Sequence, residues 1–154
     1  MKHFCRLAAC LALAGCLVGC GLQDGEYTAM TNTTDSMGYQ AYLTVTLTDG
    51  KISDAEFDAQ DAFGHKKSQN AEYAELMRPV SGKTPSEVSD HYRELLLNAK
   101  KPNSVKPDAI SGATVSSREF TQLWEALQPA FRDGTPDSIA LAPAPEFQTV
   151  QPVE

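Results

Sequence analysis

Between residues 38 and 58 the chain alternates apolar and polar residues around Asp49-Gly50, and this pattern constrains the fold more than any other feature. Ala41, Leu43, Val45 and Leu47 fall on one side of an extended segment, with Tyr42, Thr44, Thr46 and Thr48 on the other. One face is therefore buried and the other wetter. Asp-Gly accepts the positive φ values of a tight turn, so an antiparallel hairpin reversing at 49–50 is expected. The outgoing arm breaks parity: Ile52 shares a face with even positions, but Ala55 and Phe57 fall on odd ones. That predicts a bulge near Ser53 or Asp54. A further strand is expected over 26–32.

Helical signals follow the hairpin. A short helix over 68–77 should stop before Pro79, which lacks an amide donor and restricts its predecessor. Thr84-Pro-Ser-Glu87 reads as a capping box with proline at the first helical position, opening a helix to about Lys100. Its apolar stripe is Val88, Tyr92, Leu95 and Ala99. After an extended stretch to Ile110, a last helix is expected from about Ser116 to Phe131. Phe120, Leu123, Trp124 and Leu127 would face inward, and Pro129 should end or kink it. The expected architecture is α+β: one domain with a small, curved antiparallel sheet and two to three helices. Residues 133–154 lack periodicity and read as a disordered tail.

All four cysteines, Cys5, Cys10, Cys16 and Cys20, precede this domain, which leaves it without a disulfide framework or a thiolate metal site. A short basic start is followed by an apolar run over 7–18, too short to span a bilayer at ~20 residues but suited to an export signal. Leu13-Ala-Gly-Cys16 and Leu17-Val-Gly-Cys20 each resemble the lipobox of bacterial lipoproteins. We prefer Cys20 as the lipidated residue, with Cys16 as the alternative. This divides the chain into a signal peptide (1–19), a lipidated start and short tether (20–24), a domain (25–132) and the tail. Several acyl chains, palmitate among them, on one cysteine would anchor the protein stably to the outer face of a bacterial membrane, towards periplasm or exterior. The net charge is −7, and losing Lys2 and Arg6 with the leader makes it −9. Such an acidic chain lacks the clustered cations that a nucleic-acid partner requires.

The segment carrying chemistry is Asp108-Ala-Ile-Ser-Gly-Ala-Thr-Val-Ser-Ser117, between an extended stretch and a helix with an expected capping box at Ser116-Ser-Arg-Glu119. Free amides and the positive dipole end of a helix favour an anion there. Taken alone, the same residues also suit an ordinary turn and cap.

The run Asp108-x-Ile-Ser-Gly-Ala-Thr-x-Ser-Ser117 resembles the signature of the FMN-binding domain family, and the chain is most similar to that family's small lipoproteins. The likeness runs from Asp24-Gly-Glu-Tyr27 through Asp49-Gly50-Lys-Ile to the last helix. It implies that Thr114 carries flavin mononucleotide through a phosphoester. An FAD-dependent protein flavin transferase would install the group with release of AMP, recognising Asp108, Ser111, Gly112 and Ala113. It further implies an electron carrier, fed by a membrane donor, more than a stand-alone enzyme. The alternatives are a non-redox surface or binding lipoprotein with an unused motif, or a flavin-dependent reductase subunit. The larger family members carry a Gly-Glu-Thr-Pro-Gly-type loop that is absent here. In its place stands Gly64-His-Lys-Lys-Ser-Gln-Asn-Ala-Glu-Tyr73, from which Lys67, Ser68 and Tyr73 are candidates to line the flavin. Tyr73 is equally readable as a core residue. His65 and His91 lack metal-ligand spacing, the acidic run over 49–61 lacks the glycine and closing glutamate of a calcium loop, and Trp124 reads as core.

Overall fold

A computed structural model describes residues 21–134 and the backbone of Ile139–Leu141. The expected leader, both lipidation candidates and most of the tail lie outside the described residues. β1 (Gly25–Thr31), β2 (Gln40–Thr48) and β3 (Lys51–Gln60) form an antiparallel meander. The hairpin turns at Asp49 (φ 52°) and Gly50 (φ 66°), the left-handed pair that a two-residue turn demands. Asp24 accepts hydrogen bonds from both turn amides (2.8 and 2.9 Å), tying the start of β1 to the turn. The predicted bulge is present: Thr46 pairs with Asp54 and Leu47 with Ile52, leaving Ser53 as the extra residue.

Three helices accompany the sheet: α1 (Ala71–Ser81), α2 (Pro85–Ala99) and α3 (Thr114–Asp133). The aliphatic face of β2 (Ala41, Leu43, Val45, Leu47) is buried beneath α2 and α3, as its alternation required. Tyr92 of α2 stacks on Phe120 of α3 at 3.9 Å between centroids, and Phe57 of β3 meets both edge-on. Phe120, Leu123, Trp124 and Leu127 all face this core.

Several local expectations need correction. α1 runs through Pro79 to Ser81, because the proline is exposed in the helix's last turns and the carbonyl it leaves unpaired can meet water. The stripe of α2 is Val88, Tyr92 and Leu96, a strict four-residue spacing; Leu95 is only half-buried against the core. α3 begins at Thr114, two residues before the expected start, so Ser116-Ser-Arg-Glu119 lies within the helix and is not its N-terminal capping box. Pro129 does not end α3, which closes at Gly134 in the left-handed conformation. Within the expected tail, Asp133 completes α3 and Ile139–Leu141 forms β4, parallel to β1 against Ala29–Thr31. An open strand edge with unpaired amides recruits this short apolar segment, giving the order β3-β2-β1-β4.

The molecule has two distinct ends. At the foot lie the 49–50 turn, the carbonyl of Lys100 just past α2, which accepts from Ile52 N, and the end of α3, where Phe131 O accepts from Gln23 N (2.7 Å). At the head lie the loops leaving β1 and β3, together with α1 and the starts of α2 and α3.

Candidate functional site

The site is built at the head of α3. Ile110 O accepts from Ala113 N (3.0 Å), closing a tight turn around Ser111 and Gly112. The buried hydroxyl of Ser117 reaches back from the first turn of the helix, accepting from Ile110 N (3.0 Å) and donating to Ala113 O (2.9 Å). The segment entering the turn is held by Tyr92, whose buried hydroxyl donates to Asp108 O (2.9 Å). Burial of Tyr92 raises its pKa despite the opposing hydrogen bond to Ser117, so this donor stays protonated. Gly112 sits at φ +82°, and a Cβ there would lie 1.8 Å from Ser81 O, so the turn packs directly on the end of α1.

This turn delivers Thr114, exposed, as the first residue of a 20-residue helix. Its N-cap residue, Ala113, supplies no side-chain cap, and no acidic residue lies in the helix's first turn. The amides and dipole of such an end favour an anion. Beside it opens a cleft of about 400 Å³, lined by residues 112–116, Asp35, Met37, Lys67, Tyr73, Met77 and Glu119. Pockets of ~300–1,000 Å³ suit cofactor-sized molecules.

Lys67 is fixed on the cleft wall. Its ammonium donates to Asp35 Oδ2 (2.6 Å) and lies 4.8 Å from the ring centre of Tyr73 and 5.3 Å from that of Tyr39. Burial works to lower its pKa, but the hydrogen bond and charge of Asp35, with contributions from Tyr73 and Glu119, outweigh it and raise the value. Lys67 is thus a lasting cation. Tyr73 is half-buried in the cleft wall and not part of the core.

The structure thus brings together Lys67, Tyr73, Gly112, Ala113 and Thr114. Ser68 is directed elsewhere: its amide and hydroxyl both donate to the buried carboxylate of Asp58, and it lines a neighbouring groove with Glu56 and Arg93. Asp108 also lies away from the cleft, its exposed carboxylate 3.0 Å from His91 Nε2. Ser111 is exposed on the turn.

Asp35, Met37, Met77 and Glu119 did not emerge from the sequence. Asp35-Ser-Met-Gly38 carries a readable turn signal, since Asp35 Oδ1 accepts from the amides of Met37 and Tyr39 (2.9 Å each). Its pairing with Lys67, 32 residues away, has no local signature.

The FMN-binding domain family matches residues 38–127. A "15 kDa lipoprotein" of Treponema pallidum (strain Nichols) is 35% identical over 135 residues, covering 87% of this chain and 94% of that protein. A crystal structure of a Clostridium perfringens protein superposes with a TM-score of 0.70 at 31% identity, covering 79% of this chain and 97% of that one.

Proposed function

Since the chain belongs to the FMN-binding domain family, we propose that it carries flavin mononucleotide joined through a phosphoester to Thr114 and serves as a membrane-tethered electron carrier. The observation that carries this reading is exposed Thr114 at a helix start whose N-cap residue offers no side-chain cap, opening on a cleft whose wall holds a fixed cation and a tyrosine ring.

The residues present fit such a group. A phosphate esterified to Thr114 would meet the free amides of α3, with no competing carboxylate in the first helical turn. Tyr73, Met37 and Met77 offer apolar and aromatic surface for a flavin ring, and Lys67 would stabilise negative charge on its reduced form. The flavin itself supplies reversible electron exchange; the protein sets its exposure and potential. In the attachment step Thr114 Oγ1 would bond to the FMN phosphorus of FAD, the pyrophosphate linkage would break, AMP would leave, and the hydroxyl proton would pass to solvent or to the transferase. No base within this chain is required, because an FAD-dependent flavin transferase would supply the activation. An ester also keeps the cofactor where free FMN is too dilute to hold by affinity.

Lipidation at Cys20, with Cys16 as the alternative, would place the domain on the extracytoplasmic face of a bacterial membrane, where a membrane electron donor would reduce it. The Leu-x-Gly-Cys patterns and the likeness to a protein named as a lipoprotein support this.

Co-expression with a flavin transferase should add the mass of FMN less water. Thr114→Val should abolish that gain while shifting stability by no more than ~0.5 kcal/mol, as expected for an exposed site. Covalent flavin retained by Thr114→Val would sink the assignment. Cys20→Ser should block acylation.

A further inference from the structure

The exposed large hydrophobic residues of the described chain lie at one end. Met37 (56% exposed) is on the β1–β2 loop, Phe63 (86%) is on the loop leaving β3, and Leu76 (63%) and Val80 (81%) are on α1. All belong to the head that bears Thr114. α1 itself has no buried residue; Tyr73 and Met77 line the cleft from it, while Leu76 and Val80 face water. Surface of this kind around a site marks a docking face for either a membrane or a protein.

The opposite end favours a protein. Gln23 is bound to Phe131 near the end of α3, Leu22 packs on the core, and Asp24 grips the 49–50 turn. The chain therefore joins the foot by residue 22 or 23. Gln23 is three steps along the chain from Cys20, about 10 Å when fully extended. From Cys16 the reach is about 25 Å. α3 has 20 residues and spans about 30 Å from the foot to Thr114. The short tether from Cys20, the preferred anchor, holds the foot near the bilayer and keeps the head from pointing down at it, whereas the reach from Cys16 nearly equals the height of α3.

We propose that the Thr114 end faces away from the membrane, and that Met37, Phe63, Leu76 and Val80 form the docking surface for an extramembrane redox protein. This rests on the lipid-tether and flavin readings above. It means that the flavin does not exchange electrons directly with a quinone in the bilayer. Its partner carries its own redox centre and has an apolar face. Two electrons leaving one reduced flavin reduce two one-electron centres of such a partner, and the flavin's protons pass to water.

The test uses the full acylated, flavinylated chain in phosphatidylcholine–phosphatidylglycerol vesicles. The domain after Cys20 contains no cysteine, so Leu76→Cys at the head and Lys51→Cys at the foot can each carry a fluorophore. Nitroxide-labelled lipid should quench the Lys51 position severalfold more strongly than the Leu76 position, and aqueous iodide should quench the Leu76 position. In the same vesicles, the reduced protein should pass electrons at least tenfold faster to added cytochrome c, the probe for a soluble redox protein, than to menaquinone in the bilayer. Leu76→Ser with Val80→Ser, which removes the apolar surface without changing the charge, should slow the cytochrome reaction severalfold while leaving covalent flavin content unchanged.

A chain without acyl mass overturns the tether and this orientation with it; an acylated chain quenched by lipid at Leu76 overturns the orientation alone. Faster transfer to menaquinone, or no effect of the double variant, overturns the docking surface. So does concentration-dependent dimerisation abolished by that variant, which would assign the face to a second copy.

Discussion

Gly112 is constrained twice, by a φ of +82° and by Ser81 O standing where a side chain would begin. Gly112→Ala must therefore strain the backbone and separate α3 from α1, and should cost on the order of 2 kcal/mol or more in urea denaturation. Lys67 makes a different prediction. Its folded pKa is raised, so the stability it lends is fully present below the ordinary lysine value and is lost as pH rises through the higher folded value. The gap in urea midpoint between the parent and Lys67→Met should stay constant from neutral pH to the ordinary lysine range and close only above it. A gap that closes earlier would mean that Asp35 does not hold the ammonium.

At the level of elements, Thr84 and Glu87 cap α2 reciprocally, and Thr84→Ala should destabilise the protein by about 1 kcal/mol, measured by thermal melting at a helical wavelength. Backbone hydrogen bonding from Thr84 holds the Glu87 carboxyl below its usual pKa. The contribution of this capping box is therefore present above the ordinary glutamate value and lost as pH falls through the lower folded one. That box, the Asp49-Gly50 turn and the Ser53 bulge were legible because their determinants lie within a few residues of one another. Thr114 stood out as a candidate because its motif is contiguous. The start of α3 was misread because Ser117, which looks like part of a cap, spends its hydroxyl on Ile110 and Ala113 inside the fold. β4 could not be read locally, since three residues become a strand only beside the open edge of β1. The cleft was half visible: Lys67 and Tyr73 share one segment with each other, whereas Asp35, Met77 and Glu119 are assembled by topology.

Across the whole molecule, one aromatic cluster joins sheet and helices, with Phe120 touching Tyr92 and Phe57. Phe120→Ala should cost about 3–5 kcal/mol and lower unfolding midpoints read from sheet and helix together, since the ring belongs to both layers. Separate transitions would show that the layers are not coupled through it. β3 is the outer strand of the sheet. Proteins tethered to a surface diffuse in two dimensions, where encounters between copies are frequent and a bare strand edge invites one chain to extend the sheet of the next. Here Asp54 and Asp58 occupy the amides of Ala55 and Ala59, Lys100 O occupies that of Ile52, and Ser53 bulges from the ladder. With these donors occupied and several negative charges along it, the edge would discourage neighbouring copies on the proposed tether from joining sheets, so that a crowded lawn of them would remain a population of individuals.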